Sequence, residues 1–347
     1  MFLEIKKEID KSLATFLSNL DKEYDLSIIS PILFRKIKDF SLRDGKRIRP
    51  VLFIIGYKSY KNQIAPGLYQ SALSIELLHD FMLIHDDIID KSQTRRGKPA
   101  MHAMFDKYLK NNKNAKFSGS DLGIVVGDIV YALAINAFLA IKENFSRKEK
   151  ALQNFVKAAI FTGSGEFIEL INGIKPLDKL KKSDVYKIYD YKTAFYTFSC
   201  PLSTGAILAG AKNSEINKLN DYGKYLGRAF QIRDDILGIF ANQKKTGKSQ
   251  TSDLQEAKKT LLIFYAYNKA SKEDRNKIKK IFTKAKINKS DLTQMQKIII
   301  KSNALQLAKK DIQDLIKKSQ EILDQLAMKK SYKKALTNYF LPLLTQE

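Results

Sequence analysis

Apolar residues recur at i, i+3, i+4 and i+7 along nearly the whole chain, which is the period of a helix with one buried face. Little interrupts them. The 347 residues contain only 7 prolines and 16 glycines, and no alternating run long enough for a useful strand stands out. The fold class predicted is all-α. Helices are expected over residues 3–20, 29–40, 48–58, 65–90, 100–110, 121–142, 147–172, 183–210, 214–240, 254–269, 273–284, 289–326 and 330–343. Polar joints separate them, such as Ser41–Lys46, Lys91–Lys98 and Asn242–Asp253. No Pro- or Ser-rich linker divides the chain, and no solenoid-type repeat is present. A single domain over 1–347 is the expectation.

What such helices carry is set partly by charge. There are 61 Lys and Arg against 37 Asp and Glu, a formal excess of 24 positive charges. That balance favours anionic partners: nucleic acid, membrane surfaces or phosphorylated substrates. The lysines spread along the chain rather than forming a basic arm, and a Lys- and Ile-rich genome contributes to them. Cys200 is the single cysteine, which excludes a disulfide framework and a multi-cysteine metal site and fits a reducing cytosol. MFLEIKKEIDKSL is an amphipathic helix with acids throughout, unlike a signal peptide. The apolar run at 124–141 carries Asp128 near its start, so no membrane span is expected. The chain reads as soluble and cytoplasmic.

Two acidic motifs break the apolar pattern. In IHDDIIDKSQTRRGKP, residues 84–99, Asp86 and Asp90 are i and i+4 and share one helix face. His79 lies two turns earlier on that face. Like charges at this spacing repel, and a hard divalent cation compensates them simply. Mg²⁺ takes oxygen ligands and binds through one or two carboxylates plus substrate phosphates. A solvated acidic helix end is the plainer account of a lone motif. The preceding stretch Ser71–Ile84 is too apolar for that, since its only titratable residues are Glu76, His79 and Asp80. GRAFQIRDDILGIF repeats the device, with Asp234 and Asp235 closing an apolar run and Gln231 one turn before Asp234. Two such helices facing each other across a bundle make a multi-metal site.

Cations accompany the acids. GKRIRP supplies Lys46, Arg47 and Arg49; Arg95 and Arg96 follow the first motif; YDYKTAF holds Lys192 and Thr193; TGKSQTSDLQEAK holds Lys248 and Lys258. Each alone is an ordinary surface charge. Together with the carboxylates they suit diphosphates, which Arg grips bidentately and Lys as a point charge. The GKS at Gly247–Ser249 is not a P-loop: Asn242 stands where the first glycine belongs, and a helix precedes it rather than a strand. No nucleic-acid-binding motif is present.

In order and spacing, GKRIRP, HDFMLIHDDIIDKSQTRRG, YKT, FQIRDDILG and TGKSQTSDLQEAKKT resemble the trans-isoprenyl diphosphate synthases (polyprenyl synthetases). The resemblance covers about 33–262; the region 263–347 is similar only in being helical. It implies a single-domain isoprenoid-synthase-like bundle around a deep central cavity, usually a homodimer. The implied reaction joins isopentenyl diphosphate to an allylic diphosphate, with three Mg²⁺ ions per active site. Asp86 and Asp90 would bind Mg²⁺ with Asp87 assisting, and Asp234 would bind a further ion. Arg95, Lys192, Gln231 and Lys248 would hold the allylic diphosphate, with Lys258 nearby. Lys46, Arg49, His79 and Arg96 would hold isopentenyl diphosphate, and Thr193 would sit beside the reacting carbons. One departure stands out: the second motif is often DDxxD in this family, and its fifth position here is Gly238.

The chemistry implied needs no protein nucleophile. Metal and cationic side chains stabilise the leaving diphosphate, and the aligned double bond of isopentenyl diphosphate attacks the allylic cation. Product length would be bounded by the helix below Asp86. Phe81 lies five residues earlier, roughly 7.5 Å along the axis, with Met82 beside it. A ring there forms a floor or is an ordinary core side chain. By family analogy an aromatic at this position suggests a C15–C20 product, geranylgeranyl diphosphate first and farnesyl diphosphate next. A class I terpene cyclase would share the acidic motif but would not need GKRIRP, Arg96 and His79. A non-catalytic partner subunit would lack the first motif. The basic stretch 272–334 reads as a solvated face, allowing at most peripheral membrane contact.

Overall fold

The computed structural model describes residues 1–112, 114–241 and 251–345, so Lys248 lies outside the described residues. The chain divides into two compact units, one of Met1–Phe155 with Thr204–Ala211 and one of Val156–Ser203 with Lys212–Glu347. All-α is the class found. The only sheet among the described residues is a two-stranded antiparallel ribbon that pairs Thr94 with Pro99 and Arg95 with Lys98.

The first unit carries α1 (Phe2–Tyr24), α2 (Leu26–Ile29), α3 (Pro31–Ser41), α4 (Ile48–Tyr60), α5 (Leu68–Ile89), α6 (Met101–Leu109) and α7 (Gly119–Leu139). Its spine is α5, with Leu73, Ile75, Leu77 and Leu78 fully buried. Gly67 starts α5 at φ +81°, and a Cβ there would lie 2.2 Å from the Ala140 carbonyl oxygen; only glycine serves. Ser71 Oγ donates to the Phe138 carbonyl at 2.8 Å, tying α5 to the end of α7. A Cβ on Gly127 would meet His85 Nε2 at 2.3 Å, so the two helices approach closely there. Ser118 and Asp121 start α7 with a reciprocal capping box, which satisfies two orphan amides. Among the described residues, α7 is the one helix long and apolar enough to cross a membrane, with mean hydropathy 2.0 and less than half of that window buried.

Later in the chain come α8 (Phe145–Ile174), α9 (Lys182–Ile188), a π-helical segment Tyr189–Ser199, α10 (Cys200–Ala209) and α11 (Asn213–Phe240). Helices Leu261–Lys269, Lys272–Phe282, Lys289–Lys301, Ala304–Gln325 and Lys330–Thr345 complete the second unit. Three expected helices are interrupted. The helix expected at 289–326 breaks at Asn303, which adopts φ +60°, a left-handed conformation that Asn tolerates. The one expected at 254–269 stops at Gln255 and restarts after Thr260, whose hydroxyl accepts from the Ile263 amide. The one expected at 183–210 widens to the π form in its middle. Periodicity alone misses all three, because apolar residues continue on both sides of each interruption.

Candidate active site

The C-terminal turn of α5 presents the first carboxylates. One oxygen each of Asp86 and Asp90 lie within 4.8 Å of one another. Asp87 between them is fully buried, and Arg95 of the ribbon reaches back to it. Arg95 Nε donates to Asp87 Oδ1 at 2.8 Å. Its Nη2 donates to Asp86 Oδ2 at 3.1 Å and also to Asp87. Burial opposes the Arg95 charge, and Asp87, Asp86 and Asp90 more than restore it. The acids of this segment and the first of its two arginines are therefore in direct contact.

The GKRIRP residues divide by role. Arg47 is buried at 3 % exposure. It donates to Glu76 Oε1 at 2.6 Å, to Asp10 Oδ1 at 2.9 Å, and to the carbonyls of Ser41 and Arg43. It locks α1, α4 and α5 together. Lys46 is exposed and Arg49 half-buried. Arg96 lays its guanidinium against Gly45, where an added Cβ would stand 3.4 Å from Cζ. His79 of α5 is held well below its ordinary pKa by burial and by Arg49, Arg96, Arg95 and Arg47 around it. It is neutral at physiological pH and able to donate or accept a single hydrogen bond. Lower on α5, the Phe81 ring lies 4.7 Å from His85 and 5.1 Å from Tyr131 between centroids. Phe81 and Met82 are both half-buried.

In the second unit the π-helical segment carries Lys192 and Thr193. The extra backbone per turn in such a segment re-aims side chains, and it recurs at functional sites. Lys192 Nζ lies 2.5 Å from Glu166 and also contacts Glu169 on α8. Gly165 permits this: a Cβ there would sit 2.5 Å from the Lys192 amide nitrogen. Thr193 donates to Gln231 Oε1 at 2.7 Å, and Gln231 donates to Asp235 Oδ1 at 2.9 Å. Tyr189 donates to the other Asp235 oxygen and accepts from the Leu261 amide at 2.8 Å. Asp235 is buried, which pushes its carboxyl well above the usual range, against the hydrogen bonds of Tyr189 and Gln231. Asp234 is exposed instead.

Gly238, the departure from DDxxD, has a structural counterpart. A Cβ on Gly238 would lie 2.2 Å from Asp253 Oδ2. Asp253 thus brings a carboxylate over the place where the missing fifth side chain would begin. Lys258 pairs with Glu256 at 2.6 Å and stands 4.0 Å from Asp253. Glu166, Glu169, Tyr189 and Asp253 were not singled out from the sequence. Tyr189 and Asp253 lay inside the quoted YDYKTAF and TGKSQTSDLQEAK, while the glutamates look like any solvated helix face.

The polyprenyl synthetase family model matches residues 31–299. A geranylgeranyl diphosphate synthase of Sulfolobus acidocaldarius is 34% identical over 248 residues, covering 71% of this chain and 69% of that one. A geranylfarnesyl diphosphate synthase of Aeropyrum pernix is 31% identical over 307 residues, covering 87% and 90%. The fold matches the crystal structure of a Corynebacterium glutamicum geranylgeranyl pyrophosphate synthase at TM-score 0.90, with 24% identity and 100% of both chains covered. The chain belongs to the polyprenyl synthetase family and is a trans-prenyltransferase.

Proposed function

We propose that the protein condenses isopentenyl diphosphate with an allylic diphosphate and makes a C20-range all-trans product, geranylgeranyl diphosphate foremost. The observation that carries this is the pairing of Asp86 and Asp90, one turn apart, with an arginine ribbon whose Arg95 and Arg96 turn to opposite tasks. Arg95 contacts the carboxylates, and Arg96 joins Gly45 and the surroundings of His79. A cyclase has one diphosphate to hold and no use for the second group. Residues 1–347 are read as one polyprenyl synthetase domain, supported by the family match running through both units.

The carboxylates of Asp86 and Asp90 in the first unit, and those of Asp234 and Asp253 in the second, suit Mg²⁺, which takes oxygen ligands. Held by these carboxylates, Mg²⁺ would supply positive charge to a diphosphate leaving group. Arg95, Lys192, Gln231 and Lys258 hold that diphosphate, and Lys248, outside the described residues, is assigned with them. The allylic C–O bond breaks with its electron pair going to the diphosphate. Lys46, Arg49, His79 and Arg96 hold isopentenyl diphosphate, whose double bond supplies the electrons of the new C–C bond. The proton then lost goes to the departed diphosphate. Thr193, fixed by Gln231, borders the reacting carbons. The apolar flank of α5 keeps water from the cation, and Phe81, backed by Tyr131, bounds the tail.

A stripe of exposed apolar side chains on α8 supports a homodimer: Ile160, Phe167, Ile171 and Ile174 recur at helical spacing and are 51% to 83% exposed. A cytoplasmic enzyme with at most peripheral membrane contact fits this reading. The test is diphosphate release from geranyl and farnesyl diphosphates with and without isopentenyl diphosphate. Release that requires isopentenyl diphosphate supports condensation. Release without it, accompanied by a hydrocarbon, overturns condensation in favour of a cyclase.

A further inference from the structure

Beneath the residues assigned to isopentenyl diphosphate lies a buried charge cluster with unmatched members. Asp80 of α5 is 0 % exposed, and neither carboxylate oxygen has a hydrogen-bond partner. Ser41 of α3 stands beside it outside hydrogen-bond geometry. One turn earlier, Glu76 is 2 % exposed and accepts from Arg47. Arg96 Nη2 is 3.7 Å from the same Glu76 oxygen, and Arg96 Nη1 is buried without an acceptor. The groups facing Asp80 are Arg47 at the start of α4, Arg96 of the ribbon and Glu76 of its own helix. Beyond Arg47 stand Asp10 of α1 and Arg43, and Arg49, Arg95 and His79 complete the surroundings.

An ionised Asp80 without a donor, one turn from an occupied Glu76, is costly in so buried a place. A diphosphate oxygen arriving at Arg96 supplies the acceptor that Nη1 lacks, and takes away the cation that Asp80 would otherwise face. Resting on the assignment of Arg96, Arg49 and His79 to isopentenyl diphosphate, we propose that Asp80 is a positioning residue that takes up one proton when that substrate binds. No bond is made or broken in this step; the proton comes from solvent and returns when the substrate leaves. In the free protein, burial and Glu76 push the Asp80 carboxyl up to about 7, against Arg96 and Arg47. At pH 8 it is therefore mostly ionised before binding. His79, held neutral throughout, contributes no proton in this range.

The experiment is calorimetric titration of the full chain with isopentenyl diphosphate at pH 8, in two buffers of different ionisation enthalpy. Asp80→Asn is measured beside the native protein, and Asp80→Ser serves as a second neutral variant. Ionisation of the substrate itself is common to all three. The expected result is an uptake larger by about one proton in the native protein than in either variant. Tighter binding at pH 8 in Asp80→Asn, approaching tenfold, should accompany it. Equal proton uptake in native and variant proteins overturns the inference while leaving the function intact. Failure of the native protein to bind isopentenyl diphosphate at all overturns the function, and the inference with it.

Discussion

Single side chains of this protein separate into those that hold the fold and those assigned here to a ligand, and adjacent residues often differ. Arg47 and Arg49 are two positions apart in GKRIRP, yet Arg47 is spent on Glu76 and Asp10. Glu76→Gln should destabilise by about 3–5 kcal/mol, the usual cost of stranding one partner of a buried ion pair; chemical denaturation measures it. Asp80 gives a pH prediction. Its folded value of about 7 is raised above an unfolded value near 3.9. The native state therefore binds more protons between those limits, and stability falls as pH rises from about 4 to 7. The cost is fully present above pH 7. Asp80→Asn should raise Tm clearly at pH 8 and little at pH 4; an equal rise at both would contradict this. Ala257 sits at φ +52°, so Ala257→Gly should stabilise by roughly 0.5–1 kcal/mol, relief of left-handed strain exceeding the entropy lost.

At the scale of elements, glycine sets the approach of helices and so the placing of functional side chains. Gly223 and Gly227 of α11 let the π-helical segment come close, since Cβ atoms there would stand 2.5 Å from Ser199 and Ala194. Gly165 does the same for α8 against Lys192. Gly165→Ala should displace Lys192 from Glu166 and Glu169, lowering stability by about 1–3 kcal/mol. A fall in kcat larger than any fall in folded fraction would be read by steady-state kinetics beside circular dichroism. The apolar stretches of α4, α5, α7, α8 and α11 were legible in the sequence to within a few residues, because burial, of one face in α11 and of nearly every side in α4, demands apolar side chains. The π-helical segment, the ribbon and the break at Asn303 were not, because each is a local choice between hydrogen-bond patterns that tertiary packing decides. For the same reason the spacing of acids exposed Asp86, Asp90 and Asp234 as a pattern. Asp253, brought over Gly238 by chain folding, has no spacing to betray it.

On the scale of the whole molecule, an excess of 24 positive charges suits the proposed handling of two diphosphates, with the two acidic motifs assigned to the metals. The exposed stripe on α8 predicts self-association. Phe167→Asp should shift sedimentation from dimer toward monomer, and an unchanged profile would rule that stripe out as the interface. Product length belongs to this scale as well, because it is set by the room left for a growing tail. With the Phe81 ring backed by Tyr131 and His85, Phe81→Ala alone should lengthen the product by one or more five-carbon units. The central claim is chain elongation to a defined length. Its most direct test is chromatographic sizing of the dephosphorylated products of the native protein, given Mg²⁺, isopentenyl diphosphate and C5, C10 or C15 primers in turn. A single C20 prenyl alcohol from every primer is the result expected; no elongated alcohol with any primer would contradict the account.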